Sequence, residues 1–175
     1  MSMTKQTGRR ALILLGTAAL VLPNAAWAGQ GHKVPATVAE RLSDGSRVDL
    51  PSGLPSQRSI VLVTQAREHT AARVAWAEAV GSHIRITDLA LFDDYGGVFR
   101  GMVRDATKEG ITDPARRAGV ALVFGGRTDM NAALGISDPG KVHALVVDRA
   151  DGSVLASEAG MPDAASLSRL MARLA

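Results

Sequence analysis

The stretch from Ser59 to Val80 constrains the fold more than any other part of the chain. Ser59-Ile60-Val61-Leu62-Val63 is a short, β-branched apolar run that reads as a buried strand. It passes through the polar turn Thr64-Gln65-Ala66-Arg67-Glu68-His69-Thr70 into a segment where Ala72, Ala75, Trp76, Ala79 and Val80 recur at helical spacing. Thr70 is the expected cap of that helix and Gly81 its stop. Such a turn lies at the carboxyl end of a strand and beside a helix N-terminus, the usual place for chemistry in α/β proteins.

The flanking chain supplies the rest of a sheet. Before the central strand, Thr37 to Leu42 and Arg47 to Leu50 flank Ser43-Asp44-Gly45-Ser46, a hairpin signal. After it, a second strand is expected over Ile84 to Phe92. A helix follows from about Val98 to Lys108, with Val98, Phe99, Met102, Val103 and Ala106 as its apolar face. Thr112-Asp113-Pro114 opens a short turn or helical piece. Val120 to Phe124 is a third strand, and Gly126 to Gly135 a short helical connection. Val142 to Val147 and Ser153 to Ser157 form a hairpin around Asp151-Gly152, and the final helix carries Leu167, Leu170, Met171 and Leu174. Strands joined by helical crossovers, then an antiparallel hairpin and a covering helix, predict an α/β fold: a mixed sheet with helices on both faces and an N-terminal β-hairpin extension.

Residues 1–28 have the layout of a secretory signal. Lys5, Arg9 and Arg10 precede the apolar run Ala11 to Leu22, and Ala26-Trp27-Ala28 is a small-x-small cleavage site. The apolar run falls short of the roughly 20 residues that span a bilayer, which disfavours the alternative of an uncleaved anchor. Arg9-Arg10 leaves Sec and twin-arginine export both open. Cleavage leaves residues 29–175 as one domain, periplasmic or secreted, with no stable membrane anchor. The whole chain has 20 Lys plus Arg against 17 Asp plus Glu; the leader removes three bases and no acid, so the remainder is balanced at 17 against 17. A neutral domain offers no electrostatic reason to bind nucleic acid. The chain has no cysteine, which excludes disulfides, thiolate catalysis and Cys-based metal sites.

In this order of elements the chain resembles the thioredoxin-like superfamily, in its redoxin and peroxiredoxin-type branch. The likeness rests on Val34-Pro35 and Asp44-Gly45 in the leading hairpin, Ile60-Val61-Leu62-Val63 before the first helix, and Leu145-Val146-Val147-Asp148 with Asp151-Gly152 in the last hairpin. It implies the fold over roughly Lys33 to Leu174. It also implies a reactive cysteine at Thr70 in a thioredoxin-type register or at Arg73 in a peroxiredoxin-type one, and a cis-proline near Val142 or His143. This sequence has neither, so the resemblance argues against thiol-disulfide exchange or thiol peroxidase activity.

The candidate binding residues are therefore Arg67, Glu68, His69 and Thr70 of the turn, with Asp93 and Asp94 from the end of the neighbouring strand. Arg67 beside a helix N-terminus suits an anion, and Glu68 with His69 suits acid/base work. Asp93 and Asp94 are alternatively helix caps before Val98, or carboxylates for a metal with His69. The stripe Arg100, Arg104 and Lys108 is either a solvated face or a dock for an acidic partner. No phosphate-loop, dinucleotide or hydrolase motif stands in residues 29–175. The expectation is a module that binds a periplasmic protein or small ligand, with no catalytic residue, metal or cofactor assigned. The alternative is a cysteine-independent enzyme using the same six residues.

Overall fold

The computed structural model describes residues 31–175, so the leader expected over residues 1–28 lies outside the described residues. Seven strands build one sheet: β1 (Thr37–Arg41), β2 (Arg47–Leu50), β3 (Arg58–Thr64), β4 (Ile86–Phe92), β5 (Val120–Phe124), β6 (His143–Asp148) and β7 (Val154–Ala159). Their order across the sheet is β2-β1-β5-β4-β3-β6-β7. Strands β3, β4 and β5 run parallel, while β1 joins β5, β6 joins β3 and β7 joins β6 antiparallel. The expected mixed sheet and leading hairpin are both present.

Five α-helices follow the predicted punctuation: α1 (Thr70–Val80), α2 (Gly97–Gly110), α3 (Pro114–Ala118), α4 (Arg127–Leu134) and α5 (Ala164–Leu174). α3 starts on a proline and is capped by the Asp113 side chain, which accepts from the Ala115 N–H. α5 opens with a capping box in which Asp163 and Ser166 each bond the other's backbone N–H. Gly81 ends α1 at φ +84°, as its position predicts. The expected Thr70 cap is not made. A 3-10 turn over Arg67–His69 runs directly into α1, His69 takes the N-cap position in helical geometry, and no side chain caps the helix.

Side chains alternate across each strand, so the sheet buries two different rows. Val61, Val63, Leu89, Leu91, Leu145 and Val147 pack with Met130 and Leu134 of α4. On the other face, Ile60, Leu62, Ala144 and Val146 pack beneath Trp76 and Val80 of α1 and Leu170 of α5. A smaller group, with Leu42, Ala90, Ile111, Val120 and Leu122, lies over β4 and β5.

α2 departs from expectation. Its periodicity is that of an amphipathic helix, yet none of its residues is buried, and Val98, Phe99 and Met102 are 80%, 61% and 62% exposed. Spacing tells which residues share a face; it does not supply a partner for that face. No helix among the described residues is long and apolar enough to cross a membrane. The cis peptide bond among the described residues is Leu50–Pro51, at the end of the leading hairpin, not before β6.

Candidate functional site

Where α2 fails to close over β4, a cavity of about 730 Å³ remains. Its walls are the turn after β3, the first residues of α1, the β4 row Asp88, Ala90 and Phe92, and Val103, Ala106 and Thr107 of α2. Asp88, Ala90 and Phe92 share one face of β4 because every second side chain does; Leu89 and Leu91 go to the core under α4. The cavity thus runs along the face of β4 from its middle to its carboxyl end, where it meets the β3–α1 turn.

One end of the cavity is polar and buried. Arg73, from α1, donates from Nη1 to Oδ2 of Asp88 at 2.9 Å, and the two side chains are 14% and 10% exposed. The Thr64 hydroxyl, at the end of β3, donates to the other carboxylate oxygen at 3.0 Å. Burial pushes the Asp88 carboxyl above its ordinary value, and the charge and hydrogen bond of Arg73 oppose that rise. A buried carboxylate needs such partners, since desolvation without them is costly.

Beside this pair the turn is fixed by its own hydrogen bonds. His69 is buried, and its Nδ1 accepts the Gln65 backbone N–H at 3.1 Å, which puts the ring proton on Nε2. The Gln65 side chain forms a reciprocal amide pair with Asn131 of α4, at 2.8 and 3.2 Å. The turn is thereby tied to the helix on the opposite face of the sheet. The other end of the cavity is apolar. Phe92 there stacks on Phe124 with centroids 5.5 Å apart, and the Arg100 guanidinium lies 5.4 Å from the Phe124 centroid.

Of the six candidate residues, His69 and Thr70 line the cavity. Glu68 is exposed and is not among the lining residues, and Arg67 opens the 3-10 turn. Asp93 and Asp94 lie elsewhere: Asp93 pairs with Arg127 at 2.9 Å and Asp94 with Arg100 at 2.8 Å. Neither caps α2, whose N-cap is Gly96 without a side-chain bond. The metal arrangement of Asp93 and Asp94 with His69 is not formed, and no group of three potential ligands occurs among the described residues. Within the basic stripe, Arg100 holds Asp94 and Arg104 holds Glu40, each at 2.8 Å.

Sequence reasoning missed Asp88 and the pairing role of Arg73. The signal was available: Asp88 is a carboxylate two residues before Ala90 and four before Phe92, on one face of a strand whose opposite face is leucine. Arg73 stands where the peroxiredoxin-type register would put the thiol, and it serves instead as the buried counter-charge of Asp88.

No protein-family model matches the chain, and no curated protein matches it. Solved structures do. The exposed lipoprotein thioredoxin of Streptococcus pneumoniae strain TIGR4 is 9% identical, with a TM-score of 0.52 over 80% of this chain and 98% of that one. A putative thiol:disulfide interchange protein DsbE from Chlorobium tepidum is 14% identical, with a TM-score of 0.46 over 83% of this chain and 97% of that one. The mitochondrial 2-Cys peroxiredoxin of Plasmodium falciparum is 12% identical, with a TM-score of 0.45 over 81% of this chain and 92% of that one. The fold assignment rests on the strand order and on the first of these. This chain has a thioredoxin-like fold, carried by a sequence without cysteine.

Proposed function

We propose that this chain is an exported thioredoxin-like binding module that works without thiol chemistry and holds a small ligand in the cavity between α1 and α2. The observation that carries this reading is the cavity itself: about 730 Å³, within the range of small-molecule sites, with an apolar body and a fixed polar end. His69 and Thr70 are the turn residues that would meet the ligand, joined by Thr64, Gln65 and Arg73. Export is supported by the leader pattern of residues 1–28, and a periplasmic or secreted location follows from it. The enzyme alternative has less support, because Asp93 and Asp94 are engaged with arginines away from the cavity lining.

The test is a small-molecule screen by thermal shift, run in parallel on the protein and on Ala106→Trp, which places an indole in the cavity from α2. Compounds that raise the melting temperature of the parent and not of Ala106→Trp support the reading. A screen in which every hit stabilises both proteins equally, or in which nothing binds, overturns it.

A further inference from the structure

We infer that the cavity selects an uncharged ligand, an apolar body carrying one hydrogen-bonding head group such as an amide or an alcohol. This rests on the small-ligand reading above and adds the chemical class.

Among the described lining side chains, the polar end contains two formal charges, Arg73 and Asp88, and they pair with each other. Arg73 and Asp88 are paired at 2.9 Å, with Asp88 buried and Arg73 largely shielded, so neither offers an unpartnered charge to a newcomer. Among the described lining residues the remaining charged one is Glu109, which is exposed, so its charge is screened by water. A ligand carboxylate entering this cavity would lose its hydration, meet no unpaired cation among the described lining side chains and face Glu109 at the opening. An ammonium would lose its hydration and find the one buried carboxylate already taken. Either would have to break the Arg73–Asp88 pair to be matched, and breaking a buried pair leaves a second charge unsatisfied.

The other polar groups suit a neutral head. Thr64, Gln65, His69 and Thr70 line the same end, with hydroxyl, amide and imidazole groups that donate or accept hydrogen bonds without carrying formal charge in these tautomers. The body of the cavity is Ala90, Phe92, Val103, Ala106, Ile111 and Val120, which suits an alkyl chain or ring.

Three probes with one chain and three heads isolate the effect: decanamide, decanoate and decylammonium, titrated calorimetrically into the purified protein at pH 7. Decanamide should bind at least tenfold more tightly than either charged probe. Decanoate or decylammonium binding as tightly as decanamide would overturn charge selection while leaving the small-ligand reading intact. Failure of all three to bind would overturn both, as would decanamide binding unchanged in Ala106→Trp. Asp88→Asn gives a second, independent readout. It frees the Arg73 guanidinium, so decanoate should gain about tenfold relative to decanamide. Arg73→Gln should not produce the mirror image, because a buried Asp88 without its arginine is favoured in the protonated, neutral form. An unchanged ratio of decanoate to decanamide affinity in a folded Asp88→Asn protein would overturn the pair's role as the charge filter; should that variant not fold, the parent series decides.

Discussion

Arg73 Nη1 lies 2.9 Å from Asp88 Oδ2, joining the second turn of α1 to the middle of the sheet across one end of the cavity. Because Asp88 is buried and the Arg73 side chain only 14% exposed, removing one leaves the other without its counter-charge. Arg73→Ala or Asp88→Ala should each cost on the order of 3 kcal/mol in urea unfolding, with the double variant costing clearly less than the sum. Additive losses below about 1 kcal/mol each would mean the pair is solvated in solution.

The same carboxyl gives stability a pH dependence of unusual sign. Burial raises the Asp88 value in the folded chain above its ordinary 3.8, so the folded state holds this proton more tightly than the unfolded state. The associated stability is fully present below 3.8 and is lost as pH rises through the elevated folded value. Asp163 behaves oppositely: hydrogen bonds from the Ser166 backbone and hydroxyl hold it below 3.8, so its contribution is present above 3.8 and lost as pH falls through the lowered value. Unfolding measured from pH 3 to 7 should therefore show the parent gaining on Asp88→Asn toward low pH and losing ground against Asp163→Asn. Parallel profiles for the parent and Asp88→Asn would contradict the raised value.

The elements whose signal is local were legible before any coordinates. β5 has the bounds read from Val120 to Phe124, and the Asp44-Gly45 hairpin has Gly45 at φ +73°, which explains why glycine follows the aspartate there. The site was half legible. The β3–α1 turn could be placed because a strand running into a helix is a local pattern. The strand pattern singles out Asp88 but not its partners, which meet it from distant places: Thr64 ends β3, Arg73 rides α1, and Leu62 pairs with Asp88 in the β3–β4 register. The Asp93-Asp94 doublet drew attention as adjacent acids at a strand end, but its arginine partners come from α2 and α4. The apolar face of α2 was legible as a pattern, but periodicity does not say whether anything covers it, and Val98, Phe99 and Met102 are exposed.

α2 is attached at its flanks. Arg100 reaches Asp94 and the Tyr95 carbonyl, each at 2.8 Å, and Arg104 reaches Glu40 at 2.8 Å on β1. These contacts are partly exposed and open to screening, so α2 should exchange its amide hydrogens faster than α1 or α5. Raising salt to about 0.5 M, or making Glu40→Gln, should speed exchange in α2 by roughly two- to fivefold and leave α5 unchanged. Phe99→Ser and Met102→Ser should shift overall stability by less than about 0.5 kcal/mol, since both side chains are already mostly in water. Protection of α2 equal to that of α5, or a loss of several kcal/mol in either serine variant, would mean that this face is covered in solution.

α1 needs a firmer anchor than α2, because it carries Arg73 to the cavity. Trp76 supplies one: its side chain is fully buried between the sheet and α5, and its indole N–H donates to the Gly160 carbonyl at 2.8 Å. The bond ties the middle of α1 to the connection between β7 and α5. Trp76→Phe keeps most of the apolar volume and deprives the Gly160 carbonyl of its donor, so it should cost about 1–2 kcal/mol. Trp76→Ala also opens a cavity, so it should cost about 4 kcal/mol. If the anchoring matters to the site, Trp76→Phe should additionally weaken decanamide binding while Leu170→Val, a smaller lesion in the same core layer, should not. Equal effects of the two variants on binding would reduce Trp76 to a general core residue and separate the packing of α1 from the geometry of Arg73 and Asp88.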